Sequence, residues 1–362
     1  MTIPLSQLIR PEIQAQTAYS VADVPPSCIK LDAMEFPYLF PEGLRQQLAA
    51  ELARAEINRY PNPAACGLQQ ALRETFAVPD GAAIALGNGS DELIQLLTML
   101  LAQPKAVMLA LEPGFVMYRR DAALFGMEFV GVPLDAGLGL NLQAVLAAME
   151  AHRPALVFLA CPNNPTGVPF RHEDVRAVID AAPGVVVVDE AYGAFSGSSF
   201  LPLAGSMEKL VVMRTLSKIG FAGLRLGYAC GHPALMGELA KITPPYNMNQ
   251  LSLTAAKFAL RHYGWVEEKI GILKQEREKM RQAFAALPGV TAFASEANFI
   301  TLRVPDAAEA FDRLRRQGIL VKNLHGVHEY LNQCLRITVG TPEQNRRVLD
   351  VLSECAAPPQ GG

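Results

Sequence analysis

The 362-residue sequence predicts an α/β protein: a mostly parallel central sheet with helices on both faces, followed by a smaller α+β part. Three observations predict it. Short continuous apolar runs, such as Val185-Val186-Val187-Val188 and Leu210-Val211-Val212-Met213, alternate with segments of helical periodicity. Residues able to hold a ligand fall at or just past the ends of those runs, where open parallel sheets bind their ligands. After Gly231 the pattern changes to a long polar helical region and then short strands. We read three parts: an arm over 1–45, a large domain over 46–250 and a small α+β domain over 251–362 that the arm packs with.

The composition excludes several classes of function. Half the residues are apolar and 19% are charged, which supplies a sizeable core. A formal net charge of −3 leaves no basic footprint for nucleic acid or an anionic membrane. The first residues, Met1-Thr2-Ile3-Pro4-Leu5-Ser6-Gln7, lack the basic start and apolar stretch of a signal peptide. The most apolar helical stretch, 93–102, is too short to span a bilayer. The six cysteines, at 28, 66, 161, 230, 334 and 355, form no CxxC pair and read as reduced thiols of a cytoplasmic protein. His325 and His328 have no third partner, so no metal site is expected.

In order, the arm is proline-rich, with a short strand and turn at Lys30-Leu31-Asp32-Ala33-Met34-Glu35-Phe36-Pro37. Helices are expected over about 41–55 and 67–76, separated by the proline-punctuated loop Asn58-Arg59-Tyr60-Pro61-Asn62-Pro63. Ile84-Ala85-Leu86 runs into Gly87-Asn88-Gly89-Ser90-Asp91-Glu92 and then an apolar helix in which Leu93, Leu96, Leu97, Leu100 and Leu101 keep a 3.6-residue period. Glycines leading into a helix N-terminus present free N–H groups to an anion. Glu92 stands where a dinucleotide fingerprint needs glycine, and no GK[ST] follows, so neither nucleotide motif is present. Strands are expected at 106–111, 127–133, 155–160 and 185–188, with helices around Tyr118 and over 142–151 and 172–182. The tight turn Cys161-Pro162-Asn163-Asn164-Pro165-Thr166-Gly167 follows one strand, and Asp189-Glu190 ends the next. The small part reads as a helical region over 251–287, strands near 290–293, 298–304, 319–321 and 334–339, and a helix at 307–317. The final helix opens on Thr341-Pro342-Glu343-Gln344, with Thr as N-cap, Pro at N1 and Gln at N3.

The stretch Arg214-Thr215-Leu216-Ser217-Lys218-Ile219-Gly220-Phe221-Ala222-Gly223-Leu224-Arg225 carries the most chemistry. A lysine where a buried strand gives way to a loop is positioned to form an imine with an aldehyde. Thr215, Ser217 and Arg225 could hold a phosphate beside it. Aldehyde plus phosphate describes pyridoxal phosphate.

Taken together, Asn164, Asp189, Tyr192, Lys218 and Arg225 resemble, in order and spacing, the fold-type I pyridoxal-phosphate-dependent aminotransferases, over nearly the whole chain. The resemblance implies that Lys218 forms the Schiff base and moves the substrate proton, and that Asp189 pairs with the pyridinium nitrogen. It implies that Asn164 and Tyr192 bond the ring's 3′ oxygen and that Tyr118 stacks on the ring. Ser90, Asp91, Thr215, Ser217 and Arg225 would meet the phosphate, with the Asp91 carboxylate turned away to cap its helix. Tyr60 would reach the neighbouring subunit's cofactor in a homodimer with shared active sites.

Within the family, Arg59-Tyr60-Pro61, Arg214-Thr215-Leu216-Ser217-Lys218 and Cys334-Leu335-Arg336-Ile337-Thr338-Val339-Gly340-Thr341 are most similar to the members acting on histidinol phosphate. The resemblance then implies that L-histidinol phosphate and 2-oxoglutarate are converted to imidazole acetol phosphate and L-glutamate. Arg336 would grip glutamate's carboxylate and, in the other half-reaction, the substrate phosphate, with Tyr19 and Lys322 as further contacts. Two departures stand out. Asp32 and Met34 replace asparagines of the early motif, and the Lys218-to-Arg225 interval is one residue short of many members. Other readings of the scaffold are an aromatic amino-acid aminotransferase, a threonine-phosphate decarboxylase, or a cofactor-sensing regulator.

Overall fold

The computed structural model describes residues 2–18, 23–62 and 65–356. In chain order the elements begin with two single-turn helices, α1 (Leu5–Leu8) and α2 (Pro11–Gln14), then β1 (Ile29–Lys30), α3 (Glu42–Leu52) and α4 (Cys66–Phe76). Next come β2 (Ala83–Asn88), α5 (Ser90–Leu101), β3 (Val107–Glu112), α6 (Val116–Phe125), β4 (Glu128–Pro133), α7 (Leu142–His152) and β5 (Leu156–Ala160). They continue with α8 (His172–Ala181), β6 (Val185–Asp189), β7 (Leu210–Thr215), β8 (Leu226–Gly231), α9 (Pro233–Ile242), α10 (Gln250–Arg261) and α11 (Tyr263–Ala285). The last are β9 (Thr291–Ala292), β10 (Phe299–Arg303), α12 (Ala307–Arg316), β11 (Ile319–Leu320), β12 (Lys322–Asn323), β13 (Cys334–Thr338) and α13 (Pro342–Ala356).

A seven-stranded sheet in the order β2-β8-β7-β6-β5-β3-β4 forms the centre of the large part. The neighbours from β7 through β6, β5 and β3 to β4 pair in parallel. β8 alone runs antiparallel, between β2 and β7. The valines of β6 are 0–7% exposed, because helices cover both faces of the sheet. Each contributes roughly 2 kcal/mol of burial. α8 turns Val175, Val178 and Ile179 inward, as its period predicts. Nothing in the sequence pattern singles out β8, a run of six that includes two glycines. Gly227 must be small: a Cβ there would lie 2.6 Å from the Gly89 carbonyl carbon and the Ser90 nitrogen.

The smaller sheet has the order β12-β13-β10-β9, all antiparallel. The helical region read as 251–287 is two helices, α10 and α11, broken at His262. α10 packs on α3 and α4, whereas α11 packs on the small sheet and α13. The opening of α13 is a capping box: Thr341 N–H donates to Gln344 Oε1 (2.9 Å) and Gln344 N–H to Thr341 Oγ1 (3.3 Å).

The arm divides. β1 pairs in parallel with β11, and Thr338 N–H donates to the Leu31 carbonyl (2.9 Å), which ties residues 29–31 to the small part. Further upstream, α2 rests on α6, and Arg10 Nη2 donates to the Leu124 carbonyl (2.6 Å).

Candidate active site

Three neighbouring strands of the large sheet end beside one another. β5 leads into the Asn164 turn, β6 ends on Asp189, and β7 ends on Thr215 just before Ser217 and Lys218. The turn is held by Asn163, whose Nδ2 donates to the Pro113 carbonyl (3.1 Å) and to Thr166 Oγ1 (3.0 Å). Gly167 closes it at φ 79°, a conformation that favours glycine. Asn164 is then free to face Arg336, from which its Oδ1 accepts a 2.6 Å hydrogen bond.

Asp189 is 4% exposed. One oxygen accepts from the Tyr118 hydroxyl (2.7 Å) and the other from the Ala191 N–H (3.0 Å). Burial pushes its pKa up to about 6, and the charges of Asp91 and Glu190 push the same way, against those two donors. Among the described residues no cation pairs with it. A buried carboxylate in that state calls for a cationic N–H.

The expected stacking role of Tyr118 is corrected. Its ring is 2% exposed and lies parallel to Phe158 (4.4 Å between centroids, 9°), and its hydroxyl is committed to Asp189. The reason is its helix face: Tyr118 belongs to the buried stripe of α6 with Asp121 and Ala122. Phe115, one turn earlier at the N-cap of α6, is the half-buried aromatic, edge-on to Tyr118 at 5.6 Å. Its place directly after a strand end and the Pro113-Gly114 turn is the signal that could have marked it.

Lys218 Nζ donates to the Ala33 carbonyl (3.3 Å) and lies 5.8 Å from the centre of the Tyr192 ring. Burial lowers its pKa to about 8, helped by the positive charges of Arg336 and Arg225 and opposed by Asp91 and Glu35. Tyr192 is 3% exposed and packs edge-on against Phe299 (5.1 Å). Burial holds its hydroxyl well above the ordinary tyrosine range.

A second cluster forms where α5 begins. Gly89, at φ 82°, turns the chain into α5, and no side chain caps the helix. Its first N–H groups therefore point outward without intrahelical partners. Ser217 Oγ accepts from Thr215 Oγ1 (3.0 Å) and from Arg225 Nη1 (3.2 Å). A Cβ on Gly89 would lie 2.7 Å from Arg225 Nη2. The short Lys218-to-Arg225 interval is closed by Gly220 at φ 107° and by Arg225 itself at φ 49°. The Asp91 carboxylate does not cap α5, a second correction: Oδ2 faces Arg225 Nη2 at 3.7 Å. The reach-back at this end is made by Glu92, which accepts from the Asn88 N–H (2.7 Å). Helix N–H groups, two hydroxyls and a guanidinium converge as an anion cradle.

From the small sheet, Arg336 enters 8% exposed. Besides Asn164, it donates from Nη2 to the Asp32 carbonyl (2.9 Å), and its guanidinium lies 5.4 Å from the Phe299 ring centre. Lys322 is its register partner on the edge strand β12 and is exposed. Directly paired residues of an antiparallel ladder share a face of the sheet. Tyr60 stands apart from this group: it is 80% exposed and stacks on Tyr246 (4.5 Å, 19°). Tyr19 lies outside the described residues.

The residues present fit pyridoxal phosphate. A half-buried lysine of lowered pKa, a buried carboxylate lacking a cation and an anion cradle are its three recognition elements. Among the described residues no helix is long and apolar enough to cross a membrane, and no group of three or more His, Cys, Asp or Glu side chains could hold a metal.

Comparison with known proteins agrees with this arrangement. Residues 26–352 match the family described as aminotransferase class I and II. The histidinol-phosphate aminotransferase of Neisseria meningitidis serogroup B is 59% identical over 354 residues, 97% of each chain. That of Chromobacterium violaceum is 52% identical over 97% of this chain and 99% of its own. The fold is that of the Sinorhizobium meliloti histidinol-phosphate aminotransferase, solved in complex with pyridoxal 5′-phosphate (TM-score 0.84, 24% identity, 96% of each chain). The L-threonine-O-3-phosphate decarboxylase of Porphyromonas gingivalis shares the fold as well (TM-score 0.77, 22% identity, 90% of this chain and 99% of that one). The chain belongs to the class I and II aminotransferases, among the histidinol-phosphate aminotransferases.

Proposed function

We propose that this protein is a pyridoxal-phosphate-dependent transaminase that moves the amino group of L-histidinol phosphate to 2-oxoglutarate, giving imidazole acetol phosphate and L-glutamate. The observation that carries it is the convergence of Lys218, Asp189 and the Thr215–Ser217–Arg225 cradle on one side, with Arg336 opposite, in a chain 59% identical to a histidinol-phosphate aminotransferase. When bound, the cofactor supplies a reactive aldehyde and an electron-accepting ring.

The chain's own groups supply the rest. Lys218 would hold the cofactor covalently and, once released, take the Cα proton from the substrate, which needs a neutral amine. A pKa of about 8 leaves roughly one amine in ten neutral at pH 7. Asp189 would hold a proton on the ring nitrogen by charge. Ser90 and Asp91 N–H groups, Thr215, Ser217 and Arg225 would bind the phosphate. Asn164 and Tyr192 would bond the 3′ oxygen, and Phe115 would take the stacking role expected of Tyr118. Arg336 offers a planar fork that suits a carboxylate in one half-reaction and a phosphate in the other. Lys322, sharing its sheet face, and Tyr19 would be secondary contacts.

The same reading includes a homodimer in which Tyr60 reaches the partner's cofactor phosphate. Its exposure supports this, as do the exposed Leu39, Ile57 and Leu251. It also includes a cytoplasmic enzyme with an arm, a large domain and a small domain, the last boundary falling within 250–262.

The test is a single turnover. Holoenzyme mixed with histidinol phosphate alone should lose the cofactor's visible absorbance, and 2-oxoglutarate should restore it with one glutamate per site. Unchanged absorbance would overturn the substrate assignment, as would CO₂ release from threonine phosphate without an oxo acid.

A further inference from the structure

Met34 has an ordinary side chain on a backbone that ordinary side chains avoid: its φ is 55°. Glycine and asparagine adopt that left-handed conformation readily, whereas other residues keep it only where the surroundings enforce it. Here they do. The Met34 N–H donates to Thr338 Oγ1 (3.0 Å), its carbonyl accepts from Asn298 Nδ2 (2.9 Å), and its side chain is packed with Tyr192, Ala297 and Phe299.

The turn has a product. Just before it, the Asp32 carbonyl accepts from Arg336 Nη2 at 2.9 Å and the Ala33 carbonyl accepts from Lys218 Nζ at 3.3 Å. Two successive peptide oxygens thus aim at the two cations assigned to substrate and cofactor. Just after it, Glu35 returns to Lys30, whose Nζ lies 3.1 Å from Glu35 Oε2 and 3.1 Å from Asp32 Oδ1. Lys30 therefore offsets both carboxylates, of which Glu35 bears on the charge of Lys218.

We propose that Met34 is a positioning residue for the reaction, its left-handed turn holding the Asp32 and Ala33 carbonyls so that Arg336 and the Lys218 amine keep a fixed relation. A lysine amine that donates one N–H to a fixed carbonyl has a directed lone pair. Nζ would then take the Cα proton, the bonding pair being left to the electron-accepting ring that the cofactor supplies. This rests on the proposed role of Lys218.

Backbone and side-chain contributions separate in a series at one position. Met34→Gly and Met34→Asn keep the left-handed turn without the methionine; Met34→Val keeps apolar bulk but resists the turn. The valine variant should lower kcat at least about 10-fold and raise the isotope effect on kcat with Cα-deuterated substrate. It should also slow uptake of pyridoxal phosphate by apoprotein at pH 8 about 5-fold, while the glycine and asparagine variants stay within about 3-fold of wild type in all three. Thr338→Val, which removes the acceptor of the Met34 N–H, should move the same three quantities in the same direction, and it decides the matter if Met34→Val does not fold. Wild-type behaviour of both valine variants would overturn the proposal. So would equal losses in Met34→Gly and Met34→Val, since the side chain rather than the turn would then matter. Failure of wild-type apoprotein to take up the cofactor would instead overturn the role of Lys218.

Discussion

The two walls of the candidate site are built differently. On one wall, Asn164, Asp189, Thr215, Ser217 and Lys218 stand at or just past the ends of three adjacent parallel strands, β5, β6 and β7. Each is fixed by a strand buried in the main core. On the other wall, Arg336 comes from an antiparallel sheet and is steadied by the Asp32 carbonyl of an arm whose β1 pairs with β11 over two residues, in a ladder separate from that sheet. The difference separates tasks. In the proposed reading the deep wall would carry cofactor chemistry on strands of the main core, and the shallow wall would carry substrate recognition on the small sheet.

Substitutions on the two walls should therefore fail in different ways. The largest effect is expected on the deep wall. Lys218→Ala should lower kcat by at least about 10³-fold and abolish covalent cofactor, read from steady-state rates and from absorbance after gel filtration. In wild-type apoprotein, the rate of cofactor attachment should rise with pH through about 8, because the neutral amine reacts and its pKa is lowered to that value.

Asp189→Asn should cost about 10²- to 10³-fold in kcat. It also has a signature in stability. The folded pKa of Asp189 is raised from 3.8 to about 6, so folded apoprotein binds more protons than unfolded chain between those values. Its contribution is present below about pH 4 and is lost as pH rises through about 6, on the order of 3 kcal/mol. Chemical denaturation of apoprotein across that window should show the loss in wild type and not in Asp189→Asn.

On the shallow wall, Arg336→Lys keeps the charge but not the fork. It should lower kcat/KM about 10²-fold, chiefly by raising KM for 2-oxoglutarate, with cofactor absorbance unchanged. Cofactor loss in this variant would break the division between the walls. The smallest effect is expected of Lys322→Ala. An exposed edge-strand lysine should change KM for histidinol phosphate by less than about 3-fold.

The deep wall was legible in the sequence because strand ends are local events. Four valines followed by Asp189, or an apolar run ending at Thr215 before Lys218, mark both the element and the place where its side chains would meet a ligand. The cradle was legible for the same reason, Gly89 and Ser90 standing at a strand-to-helix turn. What could not be read depended on distant partners. Tyr118 and Phe115 lie three residues apart, and only the packing of α6 on Phe158 decides which is buried. The Asp91 carboxylate faces Arg225, more than a hundred residues away, instead of its own helix. β8 escaped notice because its two glycines, of which Gly227 is needed for close approach to Gly89, dilute the apolar run. The turn at Met34 is enforced by Thr338 and Asn298, so no window of the sequence around it carries the signal.

The pairing of β1 with β11 is two residues long, against six for β2 with β8. So short a ladder opens locally at a small fraction of the free energy of global unfolding. The amide of Leu31 should accordingly exchange its hydrogen far sooner than that of Val187. The short ladder would then loosen more often than the strands of the main sheet on which Asp189 and Thr215 stand. Under the proposed function, entry of a phosphorylated amine and retention of the cofactor would then be separately adjustable.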